Sequence, residues 1–225
     1  MNDILNQKTL FIDFDSTFVK VETIDELAKL SLKNDPSSEH KIRMITHITN
    51  QAMCGEIDFS TALEHRLQIL SLTSASIKEI TSQIASQISD SFKANKDTIK
   101  EYSDDIWIIS GGFSQIISPI VEPYGISKDH ILANKFLFEG DRVIGCDRSN
   151  PLFQNKGKIK AIESIETSKE RVMVGDGYTD LEVYLEGGVE HFICYTENVN
   201  RQRVVEQSKY IASSFGQILE ILKTI

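Results

Sequence analysis

The sequence predicts an α/β fold, a Rossmann-like parallel sheet with an inserted helical-bundle cap. Three observations lead there. Short apolar runs at residues 10–12, 105–109 and 171–174 have the length and the β-branched and aromatic content of buried strands. Helical patterns follow the later runs, the alternation expected of a parallel sheet covered on both faces. Between the first two runs, residues 23–90 show helical spacing and no convincing strand.

The first run ends in Asp13-Phe14-Asp15-Ser16-Thr17. Asp13 and Asp15 are two apart, so in an extended chain they point the same way. Two such charges about 4 Å apart repel by about 4 kcal/mol at an effective dielectric of about 20. A bound divalent cation is the simplest reason to place them together, since Mg²⁺ uses one or two carboxylates plus phosphate oxygens. Taken alone, Asp15-Ser16-Thr17 also reads as a turn that caps a following helix.

Four helices follow. Ile24, Leu27, Ala28 and Leu30 form one apolar face, and Ile42, Ile45, Ile48, Ala52 and Met53 form a second. Ala62, Leu63, Leu67 and Leu70 form a third, and Ile77, Ile80, Ile84 and Ile88 a fourth. The expected division is therefore a catalytic core of residues 1–22 and 91–225 with a helical cap of residues 23–90. The run at 105–109 ends in Ser110-Gly111-Gly112 and leads into a helix over 113–124. Residues 131–138 and 143–146 read as a strand pair around Glu139-Gly140-Asp141. A helix is expected at 158–165, the third buried strand at 171–174, and a helix over 181–186. A further strand at 191–195 and a closing helix at 217–222 complete the chain.

Ligands of open α/β sheets bind beyond the carboxyl ends of the strands. Asp13 and Asp15, Ser110-Gly111-Gly112 and Gly175-Asp176-Gly177 would all meet there. Ser110 offers a hydroxyl, and Gly111 lets backbone N–H groups approach a phosphate. Asp176 adds a third carboxylate for a metal, and Asp180 can support it from behind. Lys156 precedes a helix and can answer phosphate charge as a point cation.

Composition narrows the partners. The chain has 225 residues, 40% of them hydrophobic and 25% charged, as in an ordinary globular protein. A net charge of −9 argues against nucleic acid, for want of a basic surface, while leaving room for a small phosphorylated ligand in a locally positive site. Residues 1–8 are polar and lack a signal-peptide core, and no apolar run has the length of a membrane span. Cys54, Cys146 and Cys194 fit neither a zinc site nor a disulfide framework, which points to free thiols in the cytoplasm.

In their order along the chain, Asp13-Phe14-Asp15-Ser16-Thr17, Ser110-Gly111-Gly112, Lys156 and Gly175-Asp176-Gly177-Tyr178-Thr179-Asp180 resemble the four motifs of the haloacid dehalogenase superfamily of phosphohydrolases. Within it the chain is most similar to the phosphoserine phosphatase group. Residues 21–28 are similar to that group's continuation of the first motif. Thr179 and the tail Asn198-Val199-Asn200-Arg201-Gln202 resemble its eukaryotic-type form. The loop 147–154 is less typical of it.

The resemblance implies a two-step hydrolysis of O-phosphoserine, the last step of serine biosynthesis. Asp13 would attack phosphorus, and Asp15 would act as general acid and then base. Mg²⁺ would be held by the Asp13 carboxylate, the Asp15 backbone carbonyl and Asp176. Ser110, Gly111 and Lys156 would bind the phosphoryl group. Glu22 would meet the substrate ammonium and Arg66 its carboxylate, with Met53, Phe59 and Thr179 shaping the pocket. The expected partner is this small molecule, with neither nucleic acid nor membrane, for a monomer or homodimer. Receiver-type signalling modules share the Asp, Ser/Thr and Lys pattern but lack the second aspartate of the Asp-x-Asp pair. A phosphotransferase or a phosphatase of the same fold acting on another small metabolite stays open.

Overall fold

The computed structural model describes residues 7–225, with Met53 described in its backbone alone. The reading of residues 1–8 falls largely outside this range. In chain order the elements are β1 (Lys8–Ile12), α1 (Thr23–Ser31), α2 (Ser38–Met53), α3 (Phe59–Ile69) and α4 (Ser74–Ala85). There follow α5 (Asp90–Ala94), α6 (Lys96–Glu101), β2 (Ile106–Phe113), α7 (Ser114–Val121), β3 (Ile131–Asn134), β4 (Phe136–Glu139) and β5 (Arg142–Cys146). The last are α8 (Gly157–Glu163), β6 (Glu170–Gly175), α9 (Tyr178–Leu185), β7 (His191–Tyr195), α10 (Gln202–Val205), β8 (Tyr210–Ala212) and α11 (Phe215–Leu222).

Six strands form a parallel sheet in the order β3-β2-β1-β6-β7-β8. Alternation along each strand splits its side chains between the two faces. Leu10, Ile12, Ile108, Val172 and Val174 enter one apolar cluster, joined by Ile116 and Ile120 of α7 and Phe215 of α11. Phe11, Ile109 and Met173 enter the other, under Ile159 and Ile162 of α8 and Leu181 of α9. Strands buried on both faces explain why the three central runs read as continuously apolar.

The chain leaves β1 to build β2 and β3 on one side and β6, β7 and β8 on the other. The order therefore reverses at β1, where such sheets open a crevice at their carboxyl ends. The helices α1–α4 are inserted above that edge. Ile80 and Ile84 of α4 are fully buried in the same cluster as α7. The loop ahead of α4 is tied to the hairpin β4–β5 by Val143 N–H donating to the Leu72 carbonyl at 2.9 Å and Ser74 N–H to that of Asp141 at 2.9 Å.

Three readings change. The expected strand 131–138 divides at Lys135: β3 joins the parallel sheet and β4 turns away to pair with β5. Strand β2 continues through Ser110-Gly111-Gly112 to Phe113, with its register slipping between Ser110 and Phe113. Strand β8 and the short helices α5, α6 and α10 carry too few residues for a periodic signal.

Candidate active site

Asp13 follows the last residue of β1, and its N–H donates to the Val174 carbonyl of β6 at 2.9 Å. That bond stitches the end of the central strand to the strand that leads to Asp176. Beyond it, Asp15 is extended and Ser16 takes a left-handed φ of 55°, uncommon for a residue with a Cβ. The turn is held from several sides. Ser16 N–H donates to the Val21 carbonyl at 3.1 Å, Asn198 Nδ2 donates to the Ser16 carbonyl at 3.0 Å, and the Ser16 hydroxyl donates to Glu22 Oε1 at 2.8 Å. The bend thereby folds Glu22 back over the strand end that carries Asp13.

The lysine at this site is Lys158, and the reading of Lys156 is corrected. Lys158 Nζ lies 2.7 Å from Asp13 Oδ1 and 2.5 Å from Asp180 Oδ1, with its side chain 9% exposed. Lys156 Nζ instead pairs with Glu186 at 2.7 Å at the half-exposed surface. Helix α8 begins at Gly157, so Lys158 lies in its first turn, while Lys156 stands before the helix at a left-handed φ of 58° and points elsewhere. Gly157 sets which face turns inward. A Cβ there would sit 2.2 Å from the Pro151 carbonyl oxygen, so only glycine lets the helix start this close to the preceding turn. Burial lowers the Lys158 pKa, but Asp13 and Asp180 outweigh it and hold the ammonium charged.

Asp13, Asp176 and Asp180 are buried, with one carboxylate oxygen of each within 4.8 Å of the others. Asp180 is engaged on both oxygens, by Lys158 and by the Gly177 N–H at 3.0 Å. Gly175 permits this packing, since a Cβ there would lie 2.3 Å from the Asp180 carboxyl carbon. Asp176 accepts from the Thr17 hydroxyl at 3.3 Å and from Arg201 Nε at 2.7 Å. Arg201 Nη2 also reaches Glu22 Oε1 at 3.1 Å. Burial pushes the Asp176 and Asp180 carboxyls up to about 7 despite these cations.

Asp15 aside, four carboxylates (Asp13, Glu22, Asp176, Asp180) thus face three cations (Lys158, Arg201, Arg66), one negative charge in excess. A hard divalent cation on Asp13 and Asp176 fits both that excess and the all-oxygen donor set. The Asp15 carboxylate is not part of this cluster. It accepts from the Thr23 hydroxyl and, at 3.2 Å, from the Thr23 N–H. Burial, with the neighbouring Glu22 charge, raises its pKa well above the usual carboxylate range, toward the neutral form that a proton donor needs.

Ser110 is buried at the bend of β2, and its Oγ accepts the Gly112 N–H at 2.9 Å. Gly111 lies under the Phe59 ring of α3. A Cβ at 111 would meet that ring at 2.4 Å, so glycine lets the insertion close on the strand end. Arg66, seven residues along α3, is 3% exposed. Its Nε donates to the Ala62 carbonyl and its Nη1 to Thr49 Oγ1, each at 3.1 Å. Thr49 in turn donates to Asp25 at 3.0 Å. Asp13, Asp15, Glu22, Arg66 and Ser110 all line one inner cavity of about 30 Å³. An outer cavity of about 540 Å³ adjoins it, and Phe59, Gly111, Lys158 and Thr179 line both. Of the expected residues, the structure therefore gathers all at the inner site but Lys156, which lines only the outer cavity, and Met53, whose side chain is outside the described atoms.

A model of the haloacid dehalogenase-like hydrolases matches residues 10–184. The chain belongs to this family. It is 30% identical to the phosphoserine phosphatase of Bos taurus over 94% of this chain and 91% of that one. It is 30% identical to the chloroplastic phosphoserine phosphatase of Arabidopsis thaliana over 93% of this chain and 70% of that one. Among solved structures, a phosphoserine phosphohydrolase-like protein from Francisella tularensis superposes with a TM-score of 0.85 at 31% identity, covering 95% of this chain and 99% of the other.

Two residues of this hydrolase's site escape a reading of local pattern. Local pattern does not separate Lys158 from Lys156 two positions earlier. Arg201 sits in a loop between β7 and α10 without periodicity. The only signal for it is the similarity of the stretch 198–202 to the eukaryotic-type form, which assigns no role to any one side chain.

Proposed function

We propose that this hydrolase cleaves O-phosphoserine to serine and phosphate through an aspartyl-phosphate on Asp13, with Mg²⁺ as its metal, in the serine-biosynthetic branch of the cytoplasm. The observation that carries the reading is the polarity of the inner cavity. Asp13 and Lys158 line it together with the anion Glu22 and the cation Arg66. A phosphate ester that also bears an ammonium and a carboxylate matches that set of charges. The names of the relatives support the same substrate, and the three free cysteines support a reducing compartment.

In this reading Asp13 attacks phosphorus while Asp15 gives a proton to the departing seryl oxygen. Asp15, now ionised, then takes a proton from the water that attacks the aspartyl-phosphate. Lys158, Ser110 and the Gly111 N–H offset charge on the phosphoryl oxygens. Asp13 and Asp176 would hold Mg²⁺, which would screen the phosphate from the aspartates it must approach. An inner cavity of about 30 Å³ holds about two waters. The substrate is larger, so α3, with Phe59 and Arg66, moves outward to admit it from the outer cavity and closes again to exclude water.

The test is a phosphate-release screen over O-phosphoserine, phosphoethanolamine and sugar phosphates. O-phosphoserine is expected to be turned over at least about tenfold more efficiently than the others. Chelator is expected to abolish release and Mg²⁺ to restore it, with Ca²⁺ a poor substitute because it accepts larger, less regular coordination. A sugar phosphate as the best substrate, or full activity in excess chelator, would refute the assignment.

Arg66 supplies a second expectation. A charge-assisted hydrogen bond contributes about 1.5–3 kcal/mol, which is about ten- to a hundredfold in kcat/KM. Arg66→Ala should lose that much on O-phosphoserine and little on phosphoethanolamine, which has no carboxylate. Glu22→Gln should weaken both, since both carry the ammonium. Equal losses on the two esters for Arg66→Ala would remove Arg66 from the carboxylate.

A further inference from the structure

The bend of β2 that carries Ser110 and Gly111 leaves a backbone group unpaired, and a side chain from the neighbouring strand takes it up. Ser110 pairs with Ala133 of β3, but the next partner of Asn134 is Phe113. Gly111 and Gly112 are the two extra residues, and they bulge over Asn134. The Asn134 side chain is fully buried. Its Nδ2 donates to the Gly111 carbonyl at 3.0 Å and to the Leu152 carbonyl at 3.1 Å. Its Oδ1 has no hydrogen-bond partner, a condition shared among the described buried side chains only with the Ser31 hydroxyl. The opposite amide orientation would press Oδ1 against two carbonyl oxygens, so the donor face is fixed by its surroundings.

Both bonds lead to the phosphoryl cradle. The Gly111 carbonyl shares a peptide plane with the Gly112 N–H, and that N–H donates to Ser110 Oγ. Fixing the plane fixes the acceptor side of the Ser110 hydroxyl and leaves its proton free to donate elsewhere. The Leu152 carbonyl belongs to the turn against which Gly157 packs, where α8 begins and from which Lys158 projects. One amide thus spans the two arms that hold the phosphoryl oxygens in the function proposed above, on which this inference rests.

We propose that Asn134 is a positioning residue for phosphoryl transfer: it sets the direction of the Ser110 hydroxyl and the spacing between that hydroxyl and Lys158. The unpartnered Oδ1 accords with this. An apolar side chain here would remove the unpartnered oxygen but strip the Gly111 and Leu152 carbonyls of their donor, so it is the two donated bonds that this position retains.

The test compares Asn134→Leu, which removes both donors at similar volume, and Asn134→Ser, which keeps one, with the parent in Mg²⁺. Turnover is followed on O-phosphoserine and on p-nitrophenyl phosphate, a phosphate ester without the ammonium and the carboxylate. Inhibition by inorganic phosphate reads the cradle, and inhibition by L-serine reads Glu22 and Arg66. Asn134→Leu is expected to lower kcat on both esters by at least about tenfold and to weaken phosphate inhibition by about tenfold, with serine inhibition unchanged and Asn134→Ser intermediate. Unchanged kcat, equal weakening of phosphate and serine inhibition, or loss of the folded state in both variants would overturn the positioning role. A parent enzyme that ignores O-phosphoserine yet hydrolyses p-nitrophenyl phosphate would refute the substrate reading alone, leaving the variant-to-parent ratios on the second ester to decide on Asn134.

Discussion

Asp13→Asn is expected to abolish phosphate release, with a loss on the order of 10⁴-fold or more, the scale of removing a nucleophile. Asparagine has the shape of aspartate and can still meet Lys158 Nζ through its amide oxygen, so the variant should fold. What it lacks is the second anionic oxygen, the nucleophile of the proposed mechanism. Acid quenching during turnover separates the two aspartates. Asp13→Asn should yield no phosphoprotein. Asp15→Asn should still form some, because the first step can proceed slowly without a proton donor, and should release it poorly, because the water then lacks its base. Asp13→Asn with undiminished turnover would refute the covalent mechanism. Phosphoprotein from Asp13→Asn, with none from Asp15→Asn, would exchange the two roles.

The second large effect distinguishes two lysines. Lys158→Ala is expected to lower kcat by about 10²–10³-fold, as for loss of one preorganised donor to transferring charge. Lys156→Ala is expected to stay within about twofold of the parent, because its ion pair with Glu186 is half exposed and such pairs contribute about 0–1 kcal/mol. Stability gives an independent reading. Removing Lys158 leaves Asp13 and Asp180 buried with no ammonium between them. Asp180, already pushed up to about 7 by burial, then rises further and binds its proton more tightly in the folded chain than in the unfolded one. The folded state carries the extra proton between the unfolded carboxylate range and the raised value. The variant's melting temperature should therefore fall as pH rises from about 4 through 7 and beyond. A Lys156→Ala variant as impaired as Lys158→Ala would contradict the placement of α8.

Much of this site could be read before any fold was known, and for a definite reason. A buried parallel strand needs a continuous apolar run, and a polar side chain just beyond it has nowhere to go but the carboxyl edge of the sheet. That suffices to bring Asp13, Ser110-Gly111 and Asp176 to one place. Helical spacing likewise marks α1 to α4 between β1 and β2. The resemblance to the family added Phe59, and also Glu22 and Arg66, which periodicity alone would leave on the surface.

The tertiary structure decided everything that depends on packing between distant segments. Which of Lys156 and Lys158 turns inward follows from the exact start of α8, set by Gly157 against Pro151 and Leu152. Asp180 joins the carboxylate cluster because Gly175 lacks a Cβ, and Asp15 turns to Thr23 because the first turn of α1 presents donors there. Arg201 reaches Asp176 and Glu22 across 25 and 179 residues of chain. Asn134 faces Gly111 only because β2 slips its register beside β3. Local sequence determines periodicity and therefore which residues line an edge. The contacts those residues make are determined by where helices begin and strands slip, which only the packed chain settles.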